Sequence, residues 1–314
     1  TLLFLIMPAV SFSSFILSTD LFLLFFWIMS MGILYQIIKS PSFVGFVLLG
    51  IVLGLAFLSK YAAVYFIVCL FLYFLIDQGF RDLILKNLLG VIIFFISFLI
   101  VIAPNIYWNI NNNWITFQHT SDNANLNNIS INIYRGIEFL FIQTLMIGPI
   151  VFFGMVFNYK QLKINKENKF LLTFSIPIML IVVIEAVIVR ANANWAATAL
   201  VSLFLFCYLN LKEKRGLVYI SSYITNLVFG ILLFALIGLS YPAKIFDRIS
   251  GIGVFAQEIY SMSKNLNVNN LVVSDRLLFS SLSYELREKN IAFHMPHKKG
   301  EKVSNHFKIS SNLS

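Results

Sequence analysis

The sequence alternates long apolar stretches with short polar connections, and this alternation constrains the fold more than any other feature. Each stretch approaches the roughly 20 apolar residues that a helix needs to span a bilayer. Hydrophobic residues make up 59% of the chain and charged residues 12%, whereas a soluble domain carries about 25% charged residues. We therefore predict an all-α polytopic membrane protein with about nine transmembrane helices. The apolar stretches lie at about 1–17, 21–38, 43–58, 61–76, 87–104, 137–157, 170–189, 195–210 and 217–240.

The cations are distributed unequally over the two sides that this alternation defines. Up to residue 240, one side receives ten lysines and arginines, and the other receives only Lys60, Arg135 and Arg190. Cytoplasmic loops carry the excess of basic residues, so the first side is predicted to be cytoplasmic. The net charge of +9 is then a topology signal, and we predict no nucleic-acid partner. The ten are Lys39, Arg81, Lys86, Lys160, Lys163, Lys166, Lys169, Lys212, Lys214 and Arg215.

The composition changes after residue 240, so we predict two domains, 1–240 in the membrane and 241–314 outside it. Alternating apolar and polar residues predict helices at 253–266 and 275–289 and strands at 270–274 and 290–294, with Ser274 or Asp275 as the N-cap of the second helix. The odd number of spans places this small α/β domain on the extracytoplasmic side. The last dozen residues are rich in Ser, Asn and Lys and are predicted to be disordered.

The residues most often used in redox and metal chemistry give weak signals here. Cys69 and Cys207 lie inside apolar stretches and are interpreted as small buried hydrophobic residues. His294 and His297 have no cysteine or acidic cluster beside them, so a metal site there is not expected. His119 alone does not indicate catalysis.

On the extracytoplasmic side, Asp20 and Lys60 are candidates for chemistry because ionisable residues at membrane depth usually face a cavity or a partner. Asp20 begins the stretch 21–38, so it is either a plain N-cap or a carboxylate that orients an acceptor or binds a metal. Lys60 either extends its ammonium to the interface or binds an anion such as a phosphate.

A predicted loop at 105–136 and the turn near residue 190 complete the candidate site. Tyr107, Trp108 and Trp114 are either interfacial belt residues or, with Asn109, a sugar-binding surface. A loop of this length usually has a function or is disordered.

The turn near residue 190 presents Arg190 and Asn194. Arg190 either pairs with Glu185 or binds a phosphate in a bidentate manner.

Four segments together resemble the bacterial membrane glycosyltransferases related to protein O-mannosyltransferases and to lipid A aminoarabinose and galacturonic acid transferases. They contain Ser18-Thr19-Asp20 in 18–27, Ser59-Lys60-Tyr61 in 53–62, Pro104-Asn105 in 104–109 with Trp114, and Asn194-Trp195 in 193–197. The resemblance implies a GT-C-like fold in the bacterial inner membrane, with the active site on its outer face and the C-terminal domain extracytoplasmic.

The resemblance also implies the reaction partners and the roles of the residues. The donor is a sugar linked to polyprenyl phosphate, and the acceptor is a lipid A-type or other glycan. Asp20 matches the second acidic position of the family, and Lys60 matches a lysine associated with the lipid phosphate. Arg190 joins Lys60 as a donor-phosphate ligand, and Tyr107, Trp108, Asn109, Trp114, Glu185 and Asn194 are assigned to the sugar or acceptor. Family members carry their principal acidic residue in an N-terminal region that this chain lacks, which leads us to expect an N-terminally incomplete enzyme.

The residue types suggest an inverting displacement at the sugar C1, with cations stabilising the leaving phosphate and a carboxylate accepting the acceptor proton. No cofactor is required by this scheme, and a divalent metal is left open. Two alternatives stand beside it. One is a transporter or flippase of lipid-linked sugars, which would place its polar sites near the membrane midplane and carry internal repeats. The other is an inactive remnant of the glycosyltransferase.

Overall fold

The computed structural model describes residues 2–15, 18–124, 129–157, 165–212, 216–239, 251–298, 303 and 305–313. The chain divides into two compact units, one comprising Thr1–Trp114 and Ser121–Phe234 and the other Ile115–Thr120 and Ala235–Ser314. Four of the cytoplasmic cations predicted above, Lys160, Lys163, Lys214 and Arg215, lie outside the described residues.

The first unit is built from helices. They are α1 (Leu2–Leu5), α2 (Pro8–Phe15), α3 (Thr19–Lys39), α4 (Phe43–Ser59), α5 (Val64–Ile76), α6 (Gln78–Lys86), α7 (Leu88–Asn111), α8 (Ile115–Ala124), α9 (Ile133–Ile147), α10 (Pro149–Phe157), α11 (Lys166–Thr173), α12 (Ile176–Ile188), α13 (Ala197–Lys212) and α14 (Gly216–Gly238). Of these, α8 and α14 each have residues in both units. Short 3₁₀ turns at Tyr61–Ala63 and Ala193–Ala196 precede α5 and α13.

The lengths and hydropathy of these helices confirm an all-α polytopic membrane protein. Among the described residues, five helical segments are long and apolar enough to cross a membrane, or up to seven if each of two bent helix pairs counts as one span. The bent pairs turn by 106° between α5 and α6 and by 104° between α9 and α10. Helix α4 is apolar but shorter. The count of about nine spans stays a prediction.

The predicted loop at 105–136 is partly wrong, because α7 continues through Pro104 to Asn111 and α8 covers Ile115–Ala124. A proline removes one backbone donor from a helix and usually kinks or breaks it. Asparagine side chains reinforce the helix beyond this point: the Asn109 amide donates to the Asn105 carbonyl at 2.9 Å, and the Asn112 amide donates to the Trp108 carbonyl at 2.8 Å. The asparagine side chains of this segment therefore support a helix end.

Helices α4 and α7 pack closely because glycines line their contact. A Cβ atom added to Gly50 would lie 2.4 Å from the Phe94 carbonyl oxygen, and one added to Gly90 would lie 2.5 Å from the Phe46 ring. Small residues allow helix backbones to approach in a membrane, where packing rather than water exclusion drives association. This contact places the C-terminal end of α4, which Lys60 follows, beside α7.

Large side chains fill the interior of the first unit. Trp27 of α3 contacts the edge of Phe66 of α5 with ring centroids 5.0 Å apart, and Phe66 contacts Phe174 at 4.9 Å. Cys69 and Cys207 are buried and free, as the sequence predicted.

The second unit contains a three-stranded parallel sheet, with β1 (Asn270–Val272), β2 (Ala292–Pro296) and β3 (Asn312–Leu313) in that order. Helix α15 (Ile252–Asn265) precedes β1, and α16 (Arg276–Glu285) connects β1 to β2. Asp275 is the N-cap of α16 and accepts the Leu278 N–H at 2.8 Å. Two helices and two strands thus lie where the sequence predicted them.

The tail of the chain differs from the prediction of disorder. Helix α17 (Phe307–Ser310) and strand β3 lie in this segment, and Met295 of β2 donates its N–H to the Ser311 carbonyl at 2.8 Å. The reason is a single aromatic residue, since the ring of Phe307 packs on Phe279 with centroids 4.4 Å apart. The polar composition of the segment concealed this contact.

Candidate active site

Asp20 lies in the first turn of α3, but it does not cap the helix. The N-cap is Ser18, and the Asp20 carboxylate is instead directed into the helix bundle, where the residue is only 7% exposed. The interpretation of Asp20 as a plain N-cap is therefore wrong. The carboxylate remains close to the positive end of the helix dipole.

Lys60 is the residue that follows α4, and its ammonium contacts Asp20. The backbone of Lys60 is extended, and its Nζ lies 2.6 Å from Asp20 Oδ1. The Lys60 side chain is 27% exposed. The ammonium therefore binds a carboxylate inside the bundle while the Lys60 side chain stays partly exposed, which simple extension to the interface does not explain.

Asn194 occupies the second oxygen of the same carboxylate. It lies in the 3₁₀ turn Ala193–Ala196, and its Nδ2 donates to Asp20 Oδ2 at 2.7 Å. Lys60 and Asn194, from two distant segments, thus each bind one oxygen of the Asp20 carboxylate. We call Asp20, Lys60 and Asn194 the carboxylate cluster.

A group of hydrogen-bonded side chains next to Lys60 was not predicted from the sequence. The Tyr61 hydroxyl donates to Asn105 Oδ1 at 3.1 Å, and the Asn109 amide lies 3.3 Å from the same Asn105 oxygen. Tyr61 follows Lys60 directly, so this contact ties the turn that carries Lys60 to α7. The signal was present, because Tyr61 and Asn105 both belong to the segments that carry the family resemblance.

The predicted aromatic and amide ligands take different positions. Tyr107 is 71% exposed, Trp108 37% and Trp114 44%, so all three offer accessible surface. Asn109 is fully buried and uses its amide within α7, which does not favour direct contact with a sugar. Their assignment to the sugar or acceptor stays a prediction.

Arg190 and Glu185 do not form the ion pair that was the alternative to phosphate binding. Among the described residues, the ion pairs are Lys60–Asp20 and Lys169–Asp77. Arg190 is exposed at the turn that follows α12, and Glu185 is half-buried near the end of α12. The guanidinium of Arg190 is therefore accessible to an anion.

No group of three or more His, Cys, Asp or Glu side chains is arranged to hold a metal ion in the part of the chain that the structure describes. His294 contacts Asn270 Oδ1 at 3.2 Å through Nε2. His119 lies in α8, and its side chain is outside the described residues. Metal use stays an open prediction.

Two comparisons relate the chain to known proteins. Residues 1–108, which include Asp20, Lys60, Tyr61 and Asn105, match the protein family described as dolichyl-phosphate-mannose-protein mannosyltransferase. The chain is also 31% identical over 220 residues to a lipid A galacturonosyltransferase from Rhizobium johnstonii, an alignment that covers 67% of this chain and 45% of the relative. The chain thus spans less than half the length of that relative. No solved structure matches the chain.

Proposed function

This chain belongs to the superfamily of polytopic membrane glycosyltransferases that includes those mannosyltransferases and lipid A transferases, and from that premise we propose that it transfers a sugar from a polyprenyl-phosphate donor to a lipid A-type acceptor. The transfer takes place at the outer face of the bacterial inner membrane. The observation that carries the proposal is the carboxylate cluster, because it combines a buried carboxylate, a partly accessible ammonium and an orienting amide.

The reaction proceeds by a single displacement. The acceptor hydroxyl oxygen attacks the sugar C1, the bond from C1 to the phosphate oxygen breaks, and the configuration at C1 inverts. The proton of the acceptor hydroxyl passes to a carboxylate acting as general base. The leaving polyprenyl phosphate departs as an anion and therefore needs a cation rather than an acid.

Lys60 and Arg190 supply that positive charge. Lys60 Nζ has three protons to donate, and one of them is directed to Asp20 Oδ1. The partly exposed ammonium has capacity left for a phosphate oxygen, and Arg190 offers a fork that matches two phosphate oxygens. Charge stabilisation of this kind is worth about 10²–10³ in rate for a single donor.

Asp20 holds both of its oxygens on fixed partners, so its main role is to orient Lys60 and Asn194 and, through them, the acceptor. A carboxylate whose two oxygens are both hydrogen-bonded to neighbouring side chains has little freedom to reach an acceptor hydroxyl. The principal general base is then a different acidic residue, in keeping with the family resemblance.

The test is a transfer assay with membranes that contain the protein produced from its complete open reading frame. Polyprenyl phosphate carrying radiolabelled galacturonic acid, mannose or aminoarabinose is supplied with lipid A, and the label is followed into lipid A. Transfer of any one sugar supports the proposal and identifies the donor. Absence of label in lipid A with all three donors would count against it.

The second candidate is a flippase for lipid-linked sugars. The observation in its favour is the two sharply bent helix pairs, α5–α6 and α9–α10. Discontinuous helices form the binding sites of many transporters. A flippase would move the labelled donor across proteoliposome membranes without attaching the sugar to lipid A. An inactive remnant would show neither activity.

A further inference from the structure

Two side chains of helix α9 donate hydrogen bonds to backbone carbonyls of the segment 189–196, which carries Arg190 and is called the Arg190 turn. One carbonyl precedes Arg190 and the other follows it. The guanidinium of Arg135, near the start of α9, donates to the Val189 carbonyl. The amide of Gln143, farther along α9, donates to the Ala193 carbonyl at 2.9 Å. We call Arg135 and Gln143, with these two carbonyls, the α9 clamp.

The first contact of the clamp closes the C-terminal end of α12. The last carbonyls of a helix lack partners within the helix and carry partial negative charge, so a cation there is favourable. The neighbouring carbonyls are also occupied: Ser130 donates its N–H to Ile188 at 2.9 Å, and Asn132 donates its N–H to Val187 at 2.8 Å. Arg135 Nη1 is held in place by the Ser130 hydroxyl at 2.9 Å.

The second contact is made in the interior. Gln143 is 4% exposed, and placing an amide there is costly unless it is hydrogen-bonded. Its Nε2 donates to the Ala193 carbonyl. Its Oε1 is buried and has no hydrogen-bond partner among the described residues. A methionine or leucine would fill this position without that cost. The hydrogen bond from Nε2 to the turn offsets part of that cost.

Between these two fixed carbonyls lies Arg190, and directly after the second one lies Asn194. Resting on the function proposed above, we propose that Arg135 and Gln143 are positioning residues that hold Arg190 for the donor phosphate and Asn194 for Asp20. Neither residue touches the donor. The guanidinium of Arg135 is used on carbonyls, whereas Arg190 is exposed on the turn that the clamp holds, so the placement of the Arg190 guanidinium depends on the clamp.

The first experiment measures the turn itself by hydrogen–deuterium exchange in lipid nanodiscs. Arg135→Gln and Gln143→Met are compared with Tyr134→Ala, a control on the same helix whose side chain is 77% exposed. Loss of either contact should raise the exchange rate of the amides in 189–196 by about tenfold, the effect of losing roughly one hydrogen bond. Arg135→Lys should give a smaller increase, because a lysine can still donate to Val189. Unchanged exchange in both clamp variants would overturn the proposal.

The second experiment measures binding of undecaprenyl phosphate, a probe that carries the phosphate but no sugar and needs no turnover. Arg135→Gln and Gln143→Met should weaken binding about tenfold, in the same direction as Arg190→Gln, and Tyr134→Ala should not. If exchange rises while binding is unchanged, the clamp is only structural and the positioning role is rejected. Wild-type protein that binds the probe but transfers no sugar would defeat the proposed function and leave the clamp intact.

In the transfer assay, the clamp variants should lower kcat/KM for the donor by about tenfold, since they displace Arg190, which binds the donor phosphate and stabilises the charge that develops on it. Recovery of kcat/KM in Arg135→Lys would support positioning through the Val189 carbonyl. An unchanged kcat/KM in both clamp variants would contradict it.

Discussion

Lys60 Nζ lies 2.6 Å from Asp20 Oδ1, and this contact joins the first turn of α3 to the residue that follows α4. Charge-assisted hydrogen bonds between an ammonium and a carboxylate are typically about 2.7–2.9 Å long, so this one is slightly shorter than usual. Asp20 is 7% exposed, and an uncompensated charge at such a site costs about 3–5 kcal/mol. The residues proposed for catalysis therefore also stabilise the bundle, and experiments must separate the two effects.

We expect Lys60→Ala to reduce sugar transfer by at least about a hundredfold, because it removes a cation that stabilises the leaving phosphate. The measurement is radiolabel transfer to lipid A, normalised to the amount of protein in the membrane. Lys169→Ala is the matched control, since Lys169 forms the other described ion pair, with Asp77 at 3.1 Å. Equal turnover of wild type and Lys60→Ala would reject the phosphate role.

Exchanging the two charges separates stability from catalysis. Asp20→Lys and Lys60→Asp should each lower the melting temperature of the purified protein, whereas the double variant should recover most of the loss because the pair is restored in reverse. Transfer should stay low in the double variant, since the cation then lies on α3 and away from the phosphate position. A double variant with wild-type transfer would show that the site requires only an ion pair.

Asn194→Asp places a second carboxylate against Asp20, whose Oδ2 now accepts the Asn194 amide at 2.7 Å. Two carboxylates at this distance repel each other, and the hydrogen bond from the amide is lost as well. The aspartate variant should therefore melt at a lower temperature than Asn194→Ala, which loses the hydrogen bond without adding the repulsion. Thermal melting of wild type, Asn194→Ala and Asn194→Asp tests this. Equal melting temperatures for the two variants would mean that the two side chains are not in contact.

The sequence predicted those residues of the site that are rare ionisable groups in an apolar chain. Asp20 and Lys60 stood out because few ionisable residues lie on their side of the membrane, and Asn194 lies in a segment shared with the family. The role of Arg135 could not be predicted, because its partner is the backbone carbonyl of Val189. Every residue has a backbone carbonyl, so the sequence does not indicate which one a side chain will bind. The α7 extension through Pro104 was missed for a related reason, since side-chain amides there bond to the helix backbone instead of forming a loop.

The Asp77 site provides the last prediction, because it resembles the carboxylate cluster in geometry but lies at the other ends of the helices. Asp77 is 8% exposed and lies between α5 and α6, whereas Lys60 lies before α5. Its Oδ1 caps α6 by accepting the Phe80 N–H at 2.9 Å, and its Oδ2 accepts from Lys169.

The two functions of this carboxylate can be removed one at a time. Asp77→Asn keeps an oxygen for the cap and loses the charge, which should cost below about 1 kcal/mol because the Lys169 side chain is 37% exposed. Asp77→Ala also loses the cap and should cost about 1–2 kcal/mol more. Thermal melting measures both steps, and the transfer assay should give near wild-type rates for both variants. If Asp77→Asn abolished transfer while the protein stayed folded, the chemistry would have to be placed at this end of the bundle, and the assignment of the active site to Asp20, Lys60 and Asn194 would be wrong.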